Sequence, residues 1–138
     1  MPNAFSDEWA RAWGDALNAS PEYAAAAATW EGSVAAAVVA EPGDPPLAAV
    51  FLDVWHGQCR TARAAAPADL EEATYVIEAA PASWREVFSG RLAPLMGLMS
   101  GKLRIARGDL ATLVPYAGAA RELVRIAGTV PTDYPADW

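Results

Sequence analysis

The stretch from Leu98 to Leu110 constrains this chain most tightly. An apolar segment carrying Met96, Leu98 and Met99 breaks at Gly101. From Lys102 the side chains alternate, with Leu103 and Ile105 on one side and Lys102 and Arg104 on the other. That period of two belongs to a half-buried strand. Gly108 ends the strand, and Asp109 stands where a helix N-cap belongs. No cluster of acids, bases or nucleophiles accompanies the run. Its surroundings are apolar, which suits binding rather than bond-making.

The rest of the chain can be divided by the same rules. Ser6 with Asp7 and Glu8 starts a helix whose face carries Trp9, Ala12, Trp13, Ala16 and Leu17. Ser20 and Pro21 cap and open a second helix, running to Ala28. Strands are expected at 30–39, with Gly32 a bulge or close-approach point, then at 47–56, 58–65 and 74–79. The cluster from Glu41 to Pro46 is a turn. Residues 68–72 read as a short connection or helical turn. Pro81 starts a helix with Trp84, Val87 and Phe88 on one face, Gly90 stops it, and 94–99 is a further apolar helical turn. Pro115 splits the last helical region, because a proline inside a helix removes a hydrogen bond and clashes with the turn before it. That region carries an apolar stripe of Leu113, Ala117, Ala120, Val124 and Ala127. Residues 129–138 form an irregular tail. The expectation is α+β: a largely antiparallel sheet with helices over one face, in a single domain spanning 1–138.

Bulk composition excludes several classes. The chain has 138 residues and a net charge of -7, with a single lysine. Nucleic-acid binding needs a basic stripe that releases counterions, and none is present. One cysteine, Cys59, allows neither an internal disulfide framework nor a cysteine-based zinc site. No apolar stretch reaches membrane-spanning length, and the first residues have no basic and apolar regions of a signal peptide. A cytoplasmic location is expected. The excess of arginine and alanine over lysine suggests a GC-rich bacterial genome.

The succession in the second half carries a family resemblance. It runs Tyr75-Val76-Ile77-Glu78, the Trp84 helix, Gly90, Pro94 with Leu95 to Met99, Gly101-Lys102-Leu103-Arg104-Ile105, then Gly108-Asp109. This order resembles the sterol carrier protein-2 family, over about Trp9 to Leu123. Trp30-Glu31-Gly32 and Leu52-Asp53-Val54 fit more loosely. One departure stands out: five residues, Leu103 to Arg107, separate Gly-Lys from Gly-Asp, where the family usually has four. The extra residue implies a bulge or a shifted helix entry. The resemblance implies a five-stranded, largely antiparallel sheet covered by helices. It also implies an apolar tunnel for a fatty acid, acyl-coenzyme A, sterol or phospholipid, and no catalysis by the domain itself.

The candidate ligand-binding residues are Val50, Leu52, Val54, Trp84, Phe88, Leu95, Met96 and Met99. The valines and Leu52 belong to the set if their sheet face points inward. A charge at Met96 or Met99 is then expected to abolish uptake. Ordinary core packing is the competing explanation, and for Trp84 and Phe88 the favoured one. Asp53, His56 and Cys59 are the nearest approach to a catalytic set, but the odd spacings separate their faces, and no nucleophile motif accompanies them. One histidine cannot make a typical zinc site, so no metal or cofactor is expected. Lys102 and Arg104 read as a solvated face that could attract a lipid headgroup. Two other functions stay open: an interaction module with a filled cavity, as a homodimer or an enzyme's accessory subunit, and, last, a small enzyme with Asp53 or His56 as base.

Overall fold

The computed structural model describes residues 1–138. Three helices begin at a side chain that accepts from a first-turn N–H, and three others open with a proline, which has no N–H to satisfy. Ser6 accepts from the Trp9 N–H to open α1 (Asp7–Asn18), with Asp7 and Glu8 in the positive first turn. Ser20 accepts from the Tyr23 N–H in the same way to open α2 (Pro21–Ala26).

Five strands follow: β1 (Val34–Val38), β2 (Ala48–Trp55), β3 (Gln58–Ala64), β4 (Tyr75–Ala79) and β5 (Leu103–Arg107). The helices among and after them are α3 (Pro67–Glu72), α4 (Pro81–Phe88), α5 (Pro94–Ser100), α6 (Leu110–Leu113) and α7 (Ala117–Thr129). A 3-10 turn, Val114–Tyr116, joins the last two at Pro115, where the sequence predicts the split. Asp109 is the N-cap of α6 and accepts from the Ala111 N–H.

The strands form one sheet in the order β3-β2-β1-β4-β5. All neighbours are antiparallel except β1 and β4, which run parallel. The parallel pair requires a crossover from edge strand β3 to β4. That crossover is α3, whose Leu70 packs behind the sheet with Phe51 and the cluster of Ala35, Ala73 and Val76. A helix therefore covers part of the second sheet face as well, which the strand pattern alone did not indicate.

Strand β1 is shorter than the 30–39 segment because the ladder is interrupted at Gly32 and Ser33, and Glu31 keeps only an isolated bridge to Trp55. Gly32 has φ 142°, and a Cβ there would lie 3.1 Å from Thr74 Cγ2. It is a close-approach point. The extra residue before Gly108 is absorbed as a bulge: Ile77 faces Ile105 while Val76 faces Arg107, leaving Ala106 without a partner.

On the front face, Ala36, Val38, Val50, Leu52 and Val54 meet Trp9, Trp13 and Leu17 of α1 and Trp84, Val87 and Phe88 of α4. α1 lies close on β3 because Gly14 faces it; a Cβ there would stand 2.7 Å from Ala62 Cβ. The irregular tail is pinned by backbone. Asp133 bonds Pro2 O and Ala4 N–H, at 2.8 and 3.0 Å. The Trp138 ring reaches Phe5 at 5.8 Å, and Arg85 lies over Tyr134.

Candidate functional site: an apolar cavity

A cavity of about 90 Å³ lies between the front face of the sheet and the helices. Seventeen of its 18 lining residues are hydrophobic, and none is an acid, a base or a cysteine. The sheet contributes Val34, Ala36, Val54, Tyr75, Ile77 and Leu103. Strand alternation explains the set: these side chains all share the helix-facing side of their strands. Trp13 enters from α1, Tyr23 from α2, Trp84 from α4, and Pro94 and Leu98 from α5. α7 closes the top with Ala119, Ala120, Leu123 and Val124, and Leu113 and Tyr116 complete the rim.

Two of the sequence-proposed residues, Val54 and Trp84, line the cavity. Val50 and Leu52 share Val54's face but are fully packed, at 0 and 1% exposure, beneath other parts of the helical layer. Phe88 belongs to an aromatic cluster with Phe5, Trp9, Trp13 and Trp84. Leu95 is half-buried outside the lining. Met96 and Met99 lie on the outer side of α5, 58 and 71% exposed. The helix presents Pro94 and Leu98, one turn apart, to the cavity, so 96 and 99 fall on the opposite side. The apolar run is too uniform for its period to show which side faces in.

Most of the lining was not singled out from the sequence. The apolar stripe of the last helical region held a signal: Leu113, Ala120 and Val124 belong to it and line the cavity. Trp13, Tyr75 and Ile77 likewise sit at the right period on their elements. Nothing local marks Tyr23, on α2, or Trp30, in the α2–β1 connection.

The polar candidates are dispersed. Asp53 accepts two hydrogen bonds from Arg60, and His56 Nε2 lies 2.6 Å from Glu31 Oε2 on the surface. The buried Cys59 thiol donates to Thr61 O, and burial pushes its pKa up to about 11, which keeps it protonated. Lys102 pairs with Glu86, and Arg104 with the buried Glu78. Glu78 also accepts from the Gly43 N–H, tying the 41–46 turn over the back of the sheet. No group of acids, histidines or cysteines could hold a metal ion, and no helix is long and apolar enough to cross a membrane.

Fold and cavity together define an α+β domain whose helical layer leaves an apolar space over a mixed five-stranded sheet. The SCP-2 sterol transfer family model matches residues 14–121, and the chain belongs to that family. A crystal structure of sterol carrier protein 2 is 48% identical, with 94% of this chain and 100% of that one aligned at a TM-score of 0.83. A solution structure of a conserved hypothetical protein from Thermus thermophilus, described as possibly a sterol carrier protein, is 47% identical. That match covers 96% of this chain and 93% of that one, also at TM-score 0.83. Sterol carrier protein 2 from Yarrowia lipolytica, in its apo form, shares the fold at 14% identity and TM-score 0.57, over 87% of this chain and 89% of that one. No curated protein sequence matches the chain.

Proposed function

We propose that this domain binds and carries an apolar, lipid-like ligand between sheet and helices and performs no chemistry on it. The observation that carries the proposal is the lining: 17 of 18 residues are hydrophobic, and it holds no carboxylate, histidine, lysine, cysteine or serine. Family membership and the names of the similar structures support the same reading. Apolar burial drives binding, at roughly 25 cal/mol per Å² of surface removed from water. The cavity of about 90 Å³ is smaller than an engineered cavity of about 150 Å³ that takes benzene. A long acyl chain or ring system therefore enters only as α5 and the α6–α7 corner move outward.

Native mass spectrometry of the purified protein, followed by denaturing extraction, tests the proposal. A stoichiometric lipid or acyl species, or uptake of fatty acid and sterol probes, is expected. Ala120→Phe, which fills the cavity from α7, should abolish that uptake while the far-UV circular dichroism stays the same. An apo mass with no uptake of any probe would defeat the carrier reading and favour an interaction module with a filled core. Met99→Glu, on the outer side of α5, is expected to leave uptake unchanged.

A further inference from the structure

Large apolar side chains are exposed unevenly over this molecule. Met96, Met99, Leu110 and Val114 are four of the seven. Met96 and Met99 stand on the outer side of α5, and Leu110 and Val114 belong to α6 and the 3-10 turn after it. An open groove joins these elements, and Leu98, Leu103, Ile105 and Leu110 line it together with Arg104. The inner side of the same elements, through Pro94, Leu98, Leu113 and Tyr116, is cavity wall.

Charge is distributed as unevenly. The chain carries 10 basic and 17 acidic residues, yet residues 91–114 hold Arg91, Lys102, Arg104 and Arg107 and one acid, Asp109. The Asp109 carboxylate is occupied by the Ala111 N–H and the Thr112 hydroxyl. Lys102 and Arg104 are paired with Glu86 and Glu78. Arg91 has no carboxylate partner, and Arg107 donates only to Glu71 O. All four basic residues are exposed. Helix α1, at the opposite edge of the sheet, is the reverse case. Its Trp9, Trp13 and Leu17 are buried, while Asp7, Glu8 and Asp15 are exposed.

A second copy of the chain is a poor occupant for the α5–α6 face, because a symmetric contact would bring the same basic side chains together. Protein interfaces are anchored by aromatic residues and depleted in lysine, and residues 91–114 contain no aromatic residue. Flexible apolar side chains beside lysine and arginine instead suit a surface that enters the boundary of an anionic bilayer. The acidic remainder of the chain is repelled there, so the acid-poor face is the one that approaches.

We propose that the outer face of α5 and α6 docks on an anionic lipid surface, with Met96, Met99, Leu110 and Val114 entering the headgroup boundary and Arg91 and Arg107 meeting its phosphates. Docked in this way, the cavity wall lies against the lipid.

Co-sedimentation with vesicles tests the proposal. It is done without a guest, so its failure leaves the carrier reading standing. Vesicles of phosphatidylcholine alone are compared with vesicles of equimolar phosphatidylcholine and phosphatidylglycerol. The protein should sediment with the second and not the first, and added salt should release it. Arg107→Gln should weaken binding about fivefold, the worth of one basic residue near an anionic surface. Met96→Ser with Met99→Ser should weaken it roughly tenfold or more. Arg11→Gln, on α1, should leave it unchanged. These are surface changes, so unfolding midpoints should stay close to wild type. Equal binding to both vesicles, equal losses from Arg11→Gln and Arg107→Gln, or full binding by the methionine double variant would overturn the proposal. Binding to neither vesicle would also overturn it and leave the face to a protein partner.

Discussion

Two residues show how single positions hold the fold in place. Gly108 has φ 121°, and a Cβ on it would fall 2.3 Å from Tyr75 Cδ1, so the turn into α6 lies directly on a ring that lines the cavity. Gly108→Ala should destabilise the fold by about 1–3 kcal/mol from backbone conformation alone, with displacement of the ring in addition; chemical denaturation measures it. Asp69 is the second. It accepts from the Arg63 guanidinium, with a 2.7 Å contact to Nη2, and from the Ala66 N–H, and these bonds hold its pKa below the ordinary 3.8. A carboxyl with a depressed folded-state pKa contributes stability above the unfolded value and loses it as pH falls through the folded one. Stability should therefore drop as pH falls below about 3.8, and Asp69→Asn should flatten that acid limb in urea titrations. Gly108 was readable as a punctuating glycine, but the ring it must clear was not, because Tyr75 is 33 residues away in sequence.

At the scale of the elements, local rules went far. Ser6, Ser20 and Asp109 cap the helices they were expected to cap, and Pro115 divides the last helical region where expected. The bulge at Ala106 is one of the two outcomes, with a shifted helix entry, that the family resemblance implied for the extra residue, and it leads to a prediction. Deleting Ala106 keeps Ile105 opposite Ile77 and brings Arg107 next in register opposite Val76. The deletion variant should fold with stability within about 1 kcal/mol of wild type, the scale of a surface change. Deleting Arg104 instead moves Leu103 to the wrong face of the sheet and should abolish cooperative unfolding; thermal melts of the two variants distinguish the cases. Helix α5 marks where local rules stop. Leu95, Met96, Leu98 and Met99 are similarly apolar, so the choice of Leu98 as the inward side chain is made by the docking of α5 on β5. There Gly97 lies so near Leu103 that a Cβ would come within 2.8 Å.

For the whole molecule, the helical layer is uneven. α1 buries five residues, whereas α5 buries only Gly97, and α6 and the 3-10 turn bury none. Leu110 and Val114 remain 40 and 47% exposed. Segments with so little burial open at the low end of the stability range. Amide hydrogen exchange should accordingly be fastest, among the helices, across 94–116. It should slow there when a ligand is bound, because binding at a free concentration 100 times Kd stabilises the closed state by about 2.7 kcal/mol. The same segments hold Pro94, Leu98, Leu113 and Tyr116 against the cavity, so the weakly held part of the layer is also the wall a larger guest has to move. By itself the sequence determined the α+β class, the caps and breaks, and the family, because each depends on periods and punctuation within a few residues. The tertiary structure alone decided the parallel β1–β4 pair, the side of α5 that faces inward, and the meeting of Trp13, Tyr23, Trp30 and Tyr75 around one space. Those depend on contacts between residues far apart in the chain, and a cavity is defined by side chains from several elements that leave room together.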